Sequence, residues 1–188
     1  MPYPSQIDAE AVVQAATAYI GAHGIDKLSL SKVAAELGVK APSLYRYFDG
    51  KAGLLRAVNT NTTVRLFAAL DAATLEDAPA DEQLQQVATA YRAFALANAA
   101  VYGLLFTNTI DDLRPDEDEN AQLALPYQAL MAQVIGDETV ALAALRGLLG
   151  LIHGYAMLEI AGQLRRGGDL EAHYEQAVRA YIEGWQNR

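Results

Sequence analysis

Cysteine is absent from the 188 residues, which excludes disulfides, thiolate metal sites and a cysteine nucleophile, and suits a reducing compartment. Histidine is nearly as scarce. His23, His153 and His173 are all there are, and none has the spacing of a helical zinc motif or of a Glu-x-x-His di-iron motif, so no metal site is expected. Gly50-Lys51-Ala52 lacks the glycine-rich approach and the hydroxyl residue of a phosphate-binding loop. Glu159 follows His153 by six residues, which puts the two on different faces of a helix and removes them as an acid/base pair. No catalytic constellation or cofactor motif is left, and the chain is not expected to be an enzyme.

Long uninterrupted apolar runs are also missing. The most apolar stretch, Val140 to Ala161, contains Arg146, His153 and Glu159, and ionisable groups at a bilayer centre cost several kcal/mol each. It reads as a buried helix, not a membrane span. Met1 to Glu10 carries no basic cluster followed by an apolar core and a cleavage site, so no signal peptide is expected and the protein is placed in the cytoplasm.

Positive charge is in deficit overall, at −9 net, which is unfavourable for a nucleic-acid partner because phosphate neutralisation supplies much of the affinity for DNA. The deficit is uneven. Residues 1–65 hold seven Lys/Arg against five Asp/Glu, whereas residues 66–188 hold seven against eighteen. Only the first third of the chain can approach a phosphate backbone without strong repulsion.

Val/Ile/Thr alternation is lacking over any long window, while apolar residues recur at three- and four-residue spacing almost throughout, so the chain is expected to be all-α. With 52% of residues hydrophobic it has ample material for a core. Asp8 can cap a first helix whose inward face is Val12, Ala15, Ala16, Tyr19 and Ile20, ending at Gly21 to Gly24. Ser29 can cap a second, Leu30 to Leu37, closed by Gly38; a third runs from about Ala41-Pro42 to Phe48; a long fourth spans Lys51 to Ala73. Glu76 to Asp81 reads as a linker. Further helices are expected at about 82–97, 99–108, 120–135, 138–164 and 170–186, with breaks at Asp111 to Asn120, including a solvated acidic loop at Glu117 to Glu119, and at Gly167-Gly168-Asp169.

Two short helices joined through Gly38-Val39 have helix-turn-helix spacing, in which the second helix enters the major groove and the first braces it. That second segment offers Lys40, Ala41, Pro42, Ser43, Tyr45, Arg46 and Tyr47 outward, with Leu44 and Phe48 four apart on the inward side. Ser43 and Tyr45 suit base edges or phosphates, Ala41 and Pro42 a thymine methyl, and Tyr47 with Lys51 phosphate oxygens.

The joint pattern from Val12 to Val58 resembles the TetR family of bacterial regulators: a first helix ending in His23-Gly24, then Leu28-Ser29-Leu30, Ala34-Ala35-Glu36-Leu37-Gly38-Val39, Pro42-Ser43-Leu44-Tyr45-Arg46-Tyr47-Phe48 and Lys51-Ala52-Gly53-Leu54-Leu55. The resemblance implies a helix-turn-helix DNA-binding domain of three helices, assigned to residues 1–52, and a helical effector-binding and dimerisation domain over 53–188. It implies a homodimeric repressor on a pseudo-palindromic double-stranded operator, released by a small apolar or amphipathic molecule. By the same comparison Ser29 caps the second helix and touches phosphate, Ser43 and Tyr45 face the groove, and Tyr47 and Lys51 hold phosphate. Ser31 stands near where some members carry a basic residue, which weakens base contacts from the second helix. A ligand-independent helical regulator, or an interaction module that has lost DNA binding, is the alternative.

Farther on, Gly150 to Gly162 resembles the subgroup with a Trp-His-Gly signature, with Ile152 in the tryptophan's place, and implies a dimer through the last two long helices. Gly147, Gly150, Gly154 and Ala161 put small residues at helical spacing, which lets another helix approach. For the effector, apolar walls with a few polar groups are drawn from Tyr91, Phe94, Asn98, Tyr102, Phe106, Tyr127, Met131, His153 and Met157, with Glu159 as a further polar candidate. Trp185 is expected to pack.

Overall fold

Local capping chemistry decides where four of the eight described helices begin. A computed structural model describes residues 7–75, 77–107 and 117–187; eight α-helices and two short 3-10 turns occupy them, with no strand among them. The helix α1 (Ala9–His23) starts where the Asp8 carboxylate accepts from the Ala11 N–H and stops at Gly24, whose φ of 82° few side chains tolerate. Ser29 likewise accepts from the Lys32 N–H to open α2 (Leu30–Glu36). The close of α2 is a paired cap: Gly38 donates to the Ala35 carbonyl and Val39 to that of Ala34, which requires the left-handed backbone of Gly38.

The third helix expected over Ala41 to Phe48 is much shorter in the structure. Ala41–Ser43 forms a 3-10 turn, and turns continue through Tyr47, held by bonds from Ser43 to Lys40 and from Tyr47 to Leu44. Pro42 has no N–H, and three-residue hydrogen bonds tighten the segment where four-residue bonds were expected. The facing is nevertheless as the spacing demands: Leu44 is fully buried and Phe48 nearly so, while Pro42, Tyr45 and Arg46 are exposed.

After Gly50 runs α3 (Gly50–Ala73), then α4 (Ala80–Ala97), α5 (Ala99–Thr107), α6 (Glu117–Ile135), α7 (Glu138–Ile160) and α8 (Leu170–Gln186). The helix α6 takes in Glu117 to Glu119, expected as a loop; an acidic run is favoured at a helix N-terminus by the macrodipole. The helix α7 ends four residues before the expected Leu164, because Gly162 adopts φ 62° and its N–H and that of Gln163 turn back to Glu159 and Leu158. The expected break at 111–116 and Glu76 of the linker lie outside the described residues.

Two compact units result. One comprises Met1–Val64 with Asn98–Glu117, the other Arg65–Ala97 with Asp118–Arg188, so the division at residue 52 does not match the packing. In the first unit α1 packs on α2 and α5, and the core of Val12, Ala16, Ile20, Val33 and Leu44 also takes Leu54 and Val58 from α3 and Val101 and Leu104 from α5. In the second unit α4 packs on both α7 and α8, and α7 on α8. Gly147 belongs to that last contact: a Cβ there would lie 2.0 Å from the Tyr181 hydroxyl, which donates to the Ala144 carbonyl at 2.9 Å. Gly147 thus admits a tyrosine of its own chain, not the partner helix for which its size was read. Gly147→Ala is expected to displace Tyr181 and cost about 1–2 kcal/mol, measured by urea unfolding.

Candidate functional site

Four cationic or aromatic side chains stand outward on the segment that follows the Gly38 turn. Tyr45 is 58% exposed, unusual for a tyrosine flanked by a fully buried Leu44, and Lys40, Arg46 and Lys51 are exposed around it. Ala41 and Ser43 are half-buried and Pro42 is open. All lie within residues 1–65, the third of the chain that holds seven Lys/Arg against five Asp/Glu.

Not every hydroxyl and ammonium there is idle. The Tyr47 hydroxyl donates to the Ile7 carbonyl and accepts from the Arg46 guanidinium at 2.8 Å, while that guanidinium lies 4.8 Å from the Tyr47 ring centroid. Tyr47 therefore orients Arg46, a role the spacing alone did not reveal. Lys51 donates from Nζ to the Ile25 carbonyl at 3.0 Å, leaving two of its three N–H donors for an anion. Ser29 is occupied as the cap of α2. Its oxygen keeps lone pairs for no anion, so a phosphate contact there must come from the hydroxyl proton.

In the second unit α3, α4, α6 and α7 border a partly open cavity of about 100 Å³ whose wall exposes no polar atom. Phe67 and Leu70 come from α3, Leu84, Val87 and Tyr91 from α4, and Ala124 and Tyr127 from α6. The α7 side is Leu145, Leu148, Leu149 and Ile152. Of the nine side chains expected at an effector site, the structure brings only Tyr91 and Tyr127 to this wall. Phe94 is buried with the Arg65 guanidinium 5.8 Å from its ring, and Met131 is buried; neither lines the cavity, nor do the half-buried His153 and Met157. Asn98, Tyr102 and Phe106 fall in the other unit: the Asn98 backbone carbonyl accepts from the Val101 and Tyr102 N–H groups, and the Tyr102 and Phe106 rings lie tilted with centroids 5.1 Å apart. The aliphatic members escaped sequence reading because leucine and valine at helical spacing look the same whether they close a core or line a gap.

One half-buried ion pair of the second unit ties two helices together. Arg92 forms a two-pronged pair with Glu159, Nε to Oε2 and a terminal nitrogen to Oε1, both at 2.8 Å. That pair settles the role of Glu159: it holds α4 to α7 and does not line the cavity. The hydrogen bond to Glu159 raises the Arg92 pKa against the opposing effect of burial. Trp185 lies on α8 with its ring 6.5 Å from that of Tyr181. Among the described residues no cluster of three or more His, Asp or Glu is placed to hold a metal.

Burial lowers the His153 pKa from the usual 6.5. The unfolded chain then binds the proton more readily than the folded one, so His153 lowers stability as pH falls below about 6.5 and has no such effect above it. The melting temperature of the native protein should fall more between pH 7 and pH 5 than that of His153→Gln; identical profiles would refute the assignment.

Comparison with known proteins matches two stretches of the chain. Residues 12–58 match the family model described as bacterial regulatory proteins, tetR family, and residues 84–181 match that of a tetracyclin repressor-like C-terminal domain. The uncharacterised HTH-type transcriptional regulator YobS of Bacillus subtilis (strain 168) is 24% identical over 173 residues, covering 92% of this chain and 90% of the relative. The uncharacterised HTH-type transcriptional regulator Rv0681 of Mycobacterium tuberculosis is 26% identical over 186 residues, 98% of this chain and 84% of the relative. In fold, the crystal structure of a TetR variant from Acinetobacter baumannii AYE in complex with minocycline superposes with a TM-score of 0.69 at 21% identity, covering 96% of this chain and 97% of the other. With a family model covering more than half of its length, and the helix-turn-helix model matching the segment that carries Tyr45 and Lys51, the chain belongs to the TetR family of helix-turn-helix transcriptional regulators.

Proposed function

We propose that this protein is a homodimeric repressor that holds a pseudo-palindromic operator with the 40–51 segments of its two subunits and releases it when a small molecule enters the second unit. The observation that carries the DNA-binding half is Tyr45, a large aromatic left in water beside Lys40, Arg46 and Lys51 on the one part of an acidic chain that is not acidic. Ser43 and Tyr45 contact base edges, Ala41 and Pro42 a thymine methyl, and Lys40, Arg46 and Lys51 phosphates, with Ser29 and Tyr47 at the margin.

Dimerisation through α7 and α8 rests on what α7 leaves open. Long and apolar enough to cross a membrane by length and composition, this helix has only 28% of its most apolar stretch buried, and Leu142, Leu149 and Leu158 are exposed along it. A helix so apolar on its outer face requires a cover. Gly150 and Gly154 have nothing within 4 Å of where a Cβ would be, which leaves room for a partner's helix. Within α7, Ile152-His153-Gly154 supports placing the domain with the Trp-His-Gly subgroup, isoleucine replacing tryptophan. A partner helix, not a bilayer, covers this face, and the protein acts on DNA in the cytoplasm without catalysis or cofactor.

Effector binding rests on the apolar cavity and on the minocycline held by the Acinetobacter neighbour. The helix α3 supplies Phe67 and Leu70 to the cavity wall, and its first turns follow the 40–48 segment. Occupancy shifts α3 and thereby the spacing of the two DNA-reading segments, and by linkage effector and operator weaken each other's binding.

Selection of duplexes from a random pool at low salt, followed by gel shift, tests the whole reading. A bound, two-fold symmetric sequence is expected; a folded dimer that selects none overturns it. Lys51→Ala should weaken all sequences alike and reduce the slope of log affinity against log salt by about one. An unchanged slope would remove Lys51 from the phosphate contacts.

A further inference from the structure

We propose that the effector cavity takes a neutral, apolar molecule about the size of one aromatic ring, and that its occupancy is passed to α3 by the hydrogen bond between Tyr127 and Asp71. The proposal rests on the ligand-released reading above and specifies the ligand's chemistry and the relay.

The ligand class follows from the wall. No polar atom faces the cavity, so a carboxylate or ammonium placed there loses its hydration with nothing in exchange, while a hydrocarbon surface loses nothing by leaving water. Two larger grooves are lined in part by polar side chains, Gln85, Gln86 and Arg179 in one case and Gln133, Asp137 and Glu138 in the other. The cavity volume of about 100 Å³ sets the scale: an apolar cavity of roughly 150 Å³ stays dry and accepts benzene.

The relay follows from Tyr127. Its ring forms part of the wall, 5.9 Å from the ring of Phe67, and its hydroxyl donates to Asp71 Oδ1 at 2.5 Å. Asp71 lies two residues before the end of α3. Burial first, and the Asp71 bond second, raise the Tyr127 pKa, so the phenol keeps its proton and donates at neutral pH. Immediately before Tyr127, Pro126 sits inside α6, where it removes one helical hydrogen bond and strains the preceding turn. The wall is therefore weakest at the side chain that grips α3, and an occupant pressing on the ring moves or breaks the Tyr127–Asp71 bond.

The test uses the full-length protein with toluene and benzoate, two probes of one ring that differ in charge. Calorimetric titration should show toluene binding at least about a hundredfold more tightly than benzoate, the penalty for burying an unpaired charge expressed as affinity. Filling the cavity by Ala124→Phe, or by Leu145→Phe at its half-buried edge, should abolish toluene binding while helicity by circular dichroism is retained. Benzoate binding within tenfold of toluene, or toluene binding unaffected in a folded filled variant, overturns the ligand class. For the relay, Asp71→Ala should still bind toluene, because Asp71 does not line the cavity, but toluene should no longer lower its affinity for the selected operator. Asp71→Asn, which keeps an acceptor oxygen, should restore the response. An Asp71→Ala protein that responds like the parent overturns the relay and leaves the ligand class standing. A parent protein that binds toluene with no change in operator affinity overturns both the relay and the ligand-released reading.

Discussion

Replacing Arg92 by alanine is expected to lower the unfolding free energy by about 3 kcal/mol and the melting temperature by roughly 6–12 °C. The pair with Glu159 is two-pronged, with side chains only 11% and 17% exposed, so neither charge is well hydrated by water. Truncating the guanidinium leaves the Glu159 carboxylate without its neutralising partner in a place from which water is mostly excluded, and that uncompensated charge is the larger part of the cost. The rest is packing. Arg92 also lies 5.3 Å from the ring centroid of Tyr174, whose hydroxyl donates to the Ala88 carbonyl at 2.6 Å, while Tyr155 meets Tyr174 edge-on and donates to the Leu170 carbonyl. One guanidinium thus organises the junction of α4, α7 and α8. The double variant Arg92→Leu with Glu159→Leu should recover much of the loss, because it removes both charges together. Equal melting temperatures for parent and Arg92→Ala would show the pair to be solvated in solution.

For Tyr45→Ala the expected result is a loss of operator affinity of about 10- to 100-fold, with a changed preference at one or two positions of the selected sequence. The fold should not notice. At 58% exposure the side chain has little buried area to lose, and the neighbouring Leu44 and Phe48 that anchor the segment are untouched. Competition gel shifts with the selected duplex and with single-base variants of it separate the two effects. A uniform loss over all sequences would make Tyr45 a phosphate contact; no loss at all would remove it from the interface.

The helical architecture was legible because its signals are local. Asp8, Ser29, Asp137 and Asp169 cap the helices they precede, Gly38 turns the chain where the spacing placed a turn, and Leu44 and Phe48 face inward. Less was legible of the apolar cavity proposed to take the effector. Tyr91 and Tyr127 reach the cavity, but Tyr102 and Phe106 belong to the unit built on α1, since α5 returns to that core. Aromatic content marks residues that need burial, and it does not say in which core. Likewise the spacing around Pro42 marked a helix, whereas the structure forms a 3-10 turn there, because a short segment between a proline and a turn is governed by its anchors more than by propensity.

Capping, periodicity and the distribution of charge along the chain determined that this protein is all-α, that its first third presents a helix-turn-helix, and that this third is free of the acidic excess carried by the rest. Which helices meet was decided by tertiary packing: α5 joining the first core, Tyr181 closing over Gly147, Arg92 finding Glu159, and four helices leaving an apolar gap with Tyr127 tied to Asp71 at its edge. Those contacts join residues 34 to 67 positions apart in the pairs named, and a pattern of spacings cannot encode them, because the shape that remains between packed helices depends on every side chain around it at once.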